Sequence, residues 1–332
     1  SDAVAYVLLR PTLDRRLNAL RRFVRSAVLR VLARDLLDLA GDRTTARELA
    51  DVADAAVAAA IAVAQDELAD GAAGHLPFSI IAMGKWGGRE LDYPSDLDLL
   101  FVYEAPEGMD GPVAISTANT LAQTFSAALS KVTSEGIAFK VDAALRPEGK
   151  DGPLARSLQG YRKYYEQWAA TWEHQALIRA RFAGGNEDLG RRFEALAAEF
   201  AFPASLSSGT ILEIRQMKAR IESERIPLGE DPDFHFKLGK GGLVDVEFLI
   251  QLLQMKHGAR IQNLRSQATL SAVESATKAE ILDTDEGSAL VDAYRFCTRA
   301  RNRLFLQTGR DVGSLPTDPA ELSRLALSLG YA

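Results

Sequence analysis

One stretch of the sequence constrains the fold most, because short apolar runs there interrupt a chain whose remaining pattern is helical. Residues 78–83 and 97–103 are short and apolar, which predicts two buried β-strands. Residues 112–133 place apolar side chains at helical spacing, and residues 137–145 alternate as a third strand would. Residues 77–147 are therefore predicted to form a small mixed sheet with its own helix, and the fold class is predicted to be α+β.

Helical patterns fill the chain on both sides of this unit. Residues 4–40 are rich in Ala, Leu and Arg with a break expected at Pro11, and residues 44–69 follow with Thr44 or Thr45 as the expected N-cap. The glycines at 71 and 74 are expected to end this helical region. Further helices are predicted at 158–182, 186–199, 209–226, 243–258, 266–283, 286–308 and 318–330, with a loop at 227–242.

Two domains are predicted. A length of 332 residues corresponds to about two domains of roughly 150 residues each. Residues 1–155 are expected to form a catalytic domain with its core at 77–147, and residues 156–332 a helical bundle. The chain begins at Ser1 with no charged leader region, so we expect it to be one part of a longer protein.

Composition disfavours several classes of protein. There are 39 Lys and Arg against 45 Asp and Glu, a net charge of −6, whereas general nucleic-acid binders are usually basic. Cys297 is the single cysteine, so no intrachain disulfide or cysteine-based zinc site is available. A reducing, cytoplasmic setting is therefore expected. No apolar run reaches the roughly 18 residues that cross a membrane, so no membrane association is expected.

The second predicted strand opens with two carboxylates. Asp96 and Asp98 are two positions apart on an extended segment, so both project from one face of the sheet. Leu97 and Leu99 take the opposite face and the core. Neighbouring carboxylates are costly unless a cation neutralises them. Hard oxygen ligands of this kind suit Mg²⁺, which typically binds one or two carboxylates together with the phosphates of a substrate.

A glycine-rich turn and a third acid complete the pattern. Gly87 and Gly88 lie between the first two predicted strands, where a turn can bring backbone close to a phosphate. On the third predicted strand, Asp142 lies on the face opposite the apolar side chains. If this strand is the neighbour of the Asp96–Asp98 strand, three carboxylates converge. That arrangement is typical of two-metal phosphoryl or nucleotidyl transfer.

These motifs carry a family resemblance. Two glycines, seven further residues, Asp-x-Asp and a later-strand Asp resemble the nucleotidyltransferase superfamily related to DNA polymerase beta. The sequence around these motifs resembles the glutamine synthetase adenylyltransferase family in several blocks that occur in the right order. These blocks are residues 82–91, 95–98, 141–147, 172–181 and 237–248.

The resemblance implies a set of site residues and ligands. Asp96, Asp98 and Asp142 would be catalytic and hold Mg²⁺, with ATP as the substrate. The triphosphate would be held by Gly87, Gly88, Ser95 and Lys85. The family's Asp-Ala-Arg-Leu-Arg-Pro pattern has Ala144 in place of its first arginine here, so no arginine role carries over to that position.

The resemblance also implies partners and an activity. The protein substrate would be glutamine synthetase, adenylylated on a tyrosine, and a PII signalling protein is the expected regulator. Residues 172–177 and 221–225 resemble the carboxy-terminal, adenylylating half of actinobacterial members. Three alternatives stay open: the half that removes AMP by phosphorolysis and releases ADP, a catalytically silent regulatory domain, and a nucleotidyltransferase that acts on nucleic acid.

Several other residues have a structural and a functional interpretation. His174 is expected to be a packing residue, and Arg89 is expected to pair with Glu90 or Asp92. Arg146 is left open between phosphate, acids and solvent. At most one of Arg179 and Arg181 is expected to reach the site, since they are two positions apart on a predicted helix. The same holds for Asp245 and Glu247, which stabilise a helix N-terminus in any case.

Overall fold

The computed structural model describes residues 2–68 and 76–331. By contacts, the chain divides into two compact units. Unit one contains the residues up to Leu91 and Asp96–Phe200. Unit two contains Asp92–Ser95 and the chain from Ala201 onward. The predicted functional division after residue 155 is a different partition and stays a prediction.

Unit one begins with three helices: α1 (Asp2–Leu8), α2 (Leu13–Leu36) and α3 (Asp42–Glu67). The break expected near Pro11 is present, and the Thr12 side chain caps α2 by accepting from the Arg15 N–H. The predicted cap of α3 was wrong. Gly41 is its N-cap, with no side-chain hydrogen bond. Thr45 is buried within the first turns of the helix, so it cannot serve as the cap. Residues 69–75, where this helical region was expected to end, lie outside the described residues.

Five strands of the described chain form one mixed sheet: β1 (Phe78–Ala82), β2 (Leu97–Tyr103), β3 (Val141–Asp142), β4 (Ala155–Ser157) and β5 (Arg181–Gly185). β1 lies between β2 and β5 and is antiparallel to both. β3 and β4 are both parallel to β2. Because β1 takes one edge of β2, β3 and β4 follow each other along its other edge. The predicted α+β class, with a small mixed sheet between helical segments, is confirmed.

The third predicted strand, residues 137–145, is largely wrong, because only Val141 and Asp142 are in the sheet. The N–H groups of Ala138 and Phe139 instead donate to the Leu129 carbonyl near the end of the preceding helix. After Asp142 the chain turns, since the Arg146 N–H donates to the Ala143 carbonyl. The alternating apolar pattern therefore predicted too long a strand, because the backbone on either side of Val141 and Asp142 bonds to the end of a helix or forms a turn.

The predicted helix 158–182 is also corrected. The chain forms α6 (Leu158–Gln167) and α7 (Thr171–Ala176), after the break foreseen near Thr171, and then a 3₁₀ turn (Leu177–Arg179). Residues 181–185 are β5, not helix. Gly184 and Gly185 weaken a helix by about 1 kcal/mol each relative to Ala, and Gly185 adopts a positive φ of 93°.

The core of unit one packs against β2. Phe101 stacks on Phe78 with ring centroids 5.7 Å apart and meets Phe125 edge-on at 5.6 Å. Phe125 lies on α5 (Gly111–Ser130), the helix predicted at 112–133. The Tyr161 hydroxyl donates to the Phe101 carbonyl at 3.2 Å. Helix α8 (Glu187–Ala201) follows β5 and buries Phe193 against Tyr161. These contacts hold β2, the strand that carries the acids, from both sides.

Unit two is helical in its described part, as predicted. Its helices are α9 (Ser208–Glu224), α10 (Leu243–His257), α11 (Thr269–Lys278), α12 (Thr284–Thr308) and α13 (Pro319–Ser328). One cluster of buried apolar side chains on α10, α11, α12 and α13 forms its core. Within the described residues, no helix is long and apolar enough to cross a membrane.

A buried ion pair ties the short segment Asp92–Ser95 into unit two. On α12, Arg301 donates to the Asp92 carboxylate at 2.7 Å, and its side chain is 6% exposed while that of Asp92 is fully buried. The same guanidinium binds Asp311 through two hydrogen bonds of 2.9 Å. Burial alone would lower the pKa of Arg301, but the Asp92 and Asp311 carboxylates raise it above its ordinary value. The Tyr93 N–H also donates to the Asn302 side chain at 3.1 Å.

Candidate functional site

The sheet register brings two of the predicted acids together. In the parallel pairing of β2 with β3, Asp98 lies opposite Asp142 and Leu97 lies opposite Val141. Leu97 is fully buried, whereas Asp98 is partly exposed and Asp142 is exposed. Asp96 is exposed and directly precedes the first residue of β2. Two carboxylates therefore lie on neighbouring strands at the start of β2, and the third acid comes directly before that strand.

The donor set fits a hard divalent cation. Carboxylate oxygens are the ligands that Mg²⁺ prefers. With the side chains in their present positions, no three His, Cys, Asp or Glu residues in the described ranges are grouped closely enough to hold a metal ion. The carboxylates that the register does bring side by side are those of Asp98 and Asp142.

A glycine-rich turn abuts this face. Residues Gly84–Gly87 form the short helix α4 between β1 and β2. Gly84 has a positive φ of 53°, and a Cβ there would overlap the Asp98 carboxylate. The Met83 N–H donates to the Asp98 carbonyl at 2.9 Å, which holds the start of the turn beside the acid. The turn and Asp98 are therefore in direct contact.

The two predicted phosphate-binding glycines have structural duties in this turn. A Cβ on Gly87 would overlap the Arg179 carbonyl. The N–H groups of Gly87 and Gly88 donate to the carbonyls of Met83 at 2.7 Å and Gly84 at 3.2 Å. Any contact between these glycines and a ligand would therefore be made by their main chain.

Lys85 and Ser95 lie at opposite ends of the segment that joins the turn to β2. Lys85 is half-buried, and its carbonyl accepts from the Glu90 N–H at 2.8 Å. The Ser95 hydroxyl accepts from the Asp92 N–H at 3.0 Å, while its own N–H donates to the Asp92 carbonyl. Ser95 thus closes the turn that immediately precedes Asp96.

The turn is anchored by a residue that sequence reasoning missed. Asp54, on α3, accepts from the Trp86 indole Nε1 at 2.8 Å. It also accepts two hydrogen bonds from Arg181, at 2.8 and 3.1 Å, and one from Arg89 at 3.4 Å. Arg89 therefore pairs with Asp54 and Asp51, and the expected pairing with Glu90 or Asp92 is not the one found. Asp54 occurs in an Ala-rich helix with no motif around it, so its sequence context gave no signal.

A second buried ion pair holds the end of the turn. Arg179 donates to Glu90 at 2.6 Å, and both side chains are largely buried, at 6% and 12% exposure. Arg179 and Arg181 were expected on a helix, but they lie on a 3₁₀ turn and on β5. That geometry lets both arginines reach residues 86–90. The block that contains them resembled the family at the sequence level, and this resemblance was the available signal.

The loop after Asp142 is held by its own chain. Asp142 accepts from the Ala144 N–H at 2.7 Å. Arg146 donates to three carbonyls, those of Ala143 at 2.8 Å, Lys150 at 3.1 Å and Gly152 at 3.2 Å. Arg146 was left open between acids, phosphate and solvent. It organises the loop that follows the third acid.

Tyrosines behind this loop are held in their neutral form. Burial raises the pKa of Tyr164, and its hydrogen bond to the Glu173 carboxylate at 2.9 Å raises it further. Burial also raises the pKa of Tyr165 well above its ordinary value. His174 packs between Tyr165 and Phe200, and its Nε2 lies 3.2 Å from the Tyr165 carbonyl. These contacts agree with the packing role predicted for His174.

The glycine-rich segment before α10 is explained by local structure. Asp245 accepts from the Gly241 N–H at 2.7 Å and forms an ion pair with Lys218. Glu247 accepts from the Tyr294 hydroxyl at 3.4 Å. These contacts are within unit two, and they give both acids structural partners.

Comparisons with known proteins match this chain in two parts. The family model described as glutamate-ammonia ligase adenylyltransferase matches residues 2–196. The family model described as GlnD PII-uridylyltransferase matches residues 215–332. The first match covers more than half of the chain and includes the acid face and the glycine-rich turn.

Curated relatives from actinobacteria are similar over most of the chain. A bifunctional glutamine synthetase adenylyltransferase/adenylyl-removing enzyme of Nocardia farcinica is 39% identical over 96% of this chain and 32% of its own length. The protein of the same name in Streptomyces avermitilis is 38% identical over 96% of this chain and 33% of its own. That of Streptomyces coelicolor is 44% identical over 76% of this chain and 25% of its own. The chain spans about a third of the length of the first two relatives.

Proposed function

The chain belongs to the glutamate-ammonia ligase adenylyltransferase family, and on that premise we propose that it transfers an adenylyl group from ATP to a tyrosine of glutamine synthetase. The observation that carries this proposal is the parallel register that sets Asp98 opposite Asp142, with Asp96 exposed directly before β2. Neighbouring carboxylates suit a site that takes up a divalent cation, because without a cation their mutual repulsion is costly.

Each site residue has a proposed role. Asp96, Asp98 and Asp142 hold Mg²⁺ through their carboxylates. The ion, when bound, would offset the charge of the triphosphate and lower the pKa of the attacking hydroxyl. Asp142 is also the proposed acceptor of the proton from the tyrosine phenol, whose ordinary pKa is about 10.

The turn supplies the remaining contacts to the nucleotide. The Lys85 ammonium is proposed to bind the phosphate chain. Gly87 and Gly88 are proposed, from the family resemblance, to lie next to the phosphates. Ser95 is proposed to contact the phosphates from the turn that it closes before Asp96. The nucleotide chemistry is assigned to residues 1–155.

The helical part, residues 156–332, is proposed to present glutamine synthetase and to receive the PII signal. The match of residues 215–332 to the PII-uridylyltransferase model supports a link to PII. A cytoplasmic location is proposed because Cys297 is the single cysteine, so the chain has no internal disulfide to suit an oxidising compartment. The adenylylating direction is proposed from the resemblance at residues 172–177 and 221–225.

The test is transfer of label from ATP labelled in its α-phosphate to purified glutamine synthetase, with and without Mg²⁺. We expect label on a tyrosine of glutamine synthetase only when Mg²⁺ is present. Release of ADP from adenylylated glutamine synthetase and phosphate, without label transfer from ATP, would instead identify the adenylyl-removing half. No reaction in either direction would favour a silent regulatory domain, and label on RNA would identify a nucleic-acid enzyme.

A further inference from the structure

The glycine-rich turn is attached at several points to elements far away in the sequence. Asp54 lies on α3, before the sheet begins, and Arg181 lies on β5, after the last residue of the acid motif. The two side chains form a paired contact of 2.8 and 3.1 Å between the two terminal guanidinium nitrogens of Arg181 and both carboxylate oxygens of Asp54. Two-pronged pairs of this kind fix orientation as well as distance.

Both members of this pair also bind the turn itself. Asp54 accepts from the indole of Trp86, whose side chain is fully buried. Arg181 donates to the carbonyls of Trp86 and Gly87, each at 3.3 Å, and its guanidinium lies over the Trp86 ring at 5.8 Å. The side chains of Arg181 and Asp54 are 15% and 24% exposed, so solvent screens the pair only partly. The Asp54–Arg181 pair thus holds both the main chain of the turn and the side chain of Trp86.

The position of this turn matters because it touches a proposed metal ligand. Gly84 at its start has a positive φ of 53°, and a Cβ there would overlap the Asp98 carboxylate where it now lies. Gly87 at its end packs against the Arg179 carbonyl with the same lack of space. A shift of the turn would therefore change the room around Asp98. A displacement of about 1 Å near a reacting group can lower the rate strongly.

We propose that Asp54 and Arg181 are positioning residues that fix the Gly84–Gly88 turn against Asp98 and thereby set the affinity of the site for the phosphate chain of the nucleotide. This inference rests on the proposed function. Neither residue touches the reacting atoms in this proposal. Because they act through the turn, we expect their substitution to weaken nucleotide binding more than it slows the chemical step.

Two substitutions test this role with little change in size. Asp54→Asn keeps an oxygen that can accept from Trp86 but removes the charge that pairs with Arg181. Arg181→Lys keeps the positive charge but cannot form the two-pronged contact or reach both carbonyls. Loss of residues one step removed from a site commonly costs about 10- to 100-fold. We expect the KM for ATP to rise by this factor with kcat little changed.

Asp51→Asn is the matched control. Asp51 lies on the same helix, three positions from Asp54, and pairs with Arg89 at the exposed side of the turn. Within the described residues Asp51 contacts neither Trp86 nor Arg181, so its substitution removes a similar charge from α3 while leaving the Asp54–Arg181 pair intact. We expect its KM for ATP and kcat to match those of the unsubstituted chain.

The readouts separate positioning from general damage. The adenylylation assay gives KM for ATP and kcat, and partial unfolding would lower kcat through the active fraction while leaving KM unchanged. Hydrogen exchange of the peptide that spans residues 84–90 is measured on the same proteins without nucleotide. We expect faster exchange there in Asp54→Asn and Arg181→Lys, and no change in Asp51→Asn.

The two proposals fail in different ways. If the unsubstituted chain does not adenylylate glutamine synthetase, the proposed function is overturned, and exchange alone then judges the positioning of the turn. If Asp54→Asn and Arg181→Lys leave both exchange and KM for ATP unchanged, or lower kcat alone, the positioning role is overturned. An equal effect of Asp51→Asn would also overturn it, because the general charge of α3 would then suffice. If one variant does not fold, the other decides.

Discussion

Asp98 and Asp142 face each other across two strands, yet the chain supports them in different ways. β2 has seven residues, pairs with β1 over five of them and is buried along almost its whole length. β3 has two residues, neither of them buried, and its acid is exposed. Asp98 is therefore placed by the long-range core, whereas Asp142 is placed by a loop that binds to itself through Ala144 and Arg146.

This difference separates a fixed from an adjustable part of the site. Regions with few buried apolar contacts open locally at low cost in free energy, and core strands do not. The Asp98 side supplies a rigid reference, including the glycine-rich turn that abuts it. The Asp142 side is held by hydrogen bonds within one loop, so it is the side that can adapt when a cation and nucleotide bind.

The largest expected effect tests the rigid side through stability. Phe101→Ala removes a fully buried ring from β2, and such changes cost about 3–5 kcal/mol of unfolding free energy. Val141→Ala on β3 removes a smaller side chain at a half-buried site, and we expect about 1 kcal/mol or less. Urea unfolding followed by tryptophan fluorescence measures this, because Trp86, Trp168 and Trp172 all lie in unit one. Equal costs for the two variants would contradict the contrast between the strands.

The next effect concerns chemistry. Asp98→Asn and Asp142→Asn each remove one charged ligand but preserve the side-chain shape. A bound cation contributes several kcal/mol to transition-state stabilisation. Since each step of about 1.4 kcal/mol is tenfold in rate, turnover should fall by roughly 100-fold or more in both variants. The labelled-ATP assay measures turnover, and thermal unfolding checks that the fold is kept. Full activity in Asp142→Asn would show that Asp142 and its loop are not part of the site.

The smallest effect tests the adjustable side. Arg146→Lys weakens three hydrogen bonds to loop carbonyls, and bonds from a charged donor contribute about 1.5–3 kcal/mol each. We expect turnover at low Mg²⁺ to fall by roughly tenfold, because the loop must be ordered when the cation binds. Raising the Mg²⁺ concentration should restore turnover in this variant and not in Asp98→Asn.

Arg192→Lys is the control for this change. Arg192 pairs with Glu104 at an exposed surface of unit one, where such pairs contribute little. Its turnover should follow that of the unsubstituted chain at every Mg²⁺ concentration. If Arg146→Lys behaves in the same way, the loop does not need its internal hydrogen bonds to place Asp142.

The parts of the fold that were predictable are those that a single local pattern determines. β2 was predicted with its observed ends because a short run that is apolar except for Asp98 marks a buried strand. The helices at residues 208–224 and 243–257 were close to prediction for the same kind of reason, since apolar spacing and glycine boundaries mark them. The shared face of Asp96 and Asp98 was predicted from strand alternation alone and stays a prediction for Asp96, which lies just before β2.

The parts that were missed depend on contacts between distant segments. β5 has one large apolar residue, Phe182, and two glycines, so its pairing with β1 leaves no local pattern. The region 137–140 alternates like a strand, but the N–H groups of Ala138 and Phe139 donate to the Leu129 carbonyl at the end of α5. Asp54 is one acid on an Ala-rich helix, and only the folded chain brings it to Trp86 and Arg181.

The segment Asp92–Ser95 has a practical consequence for any attempt to divide the molecule. A fragment that ended near residue 196, where the first family match stops, would keep Asp92 but lose the Arg301 charge that lies 209 positions later. The Asp92 carboxylate, which is buried beside that guanidinium in the whole chain, would then need water as its partner, and the turn leading into Asp96 would relax. A cut at this boundary would therefore remove support from the segment before Asp96, although every proposed metal ligand would still be present.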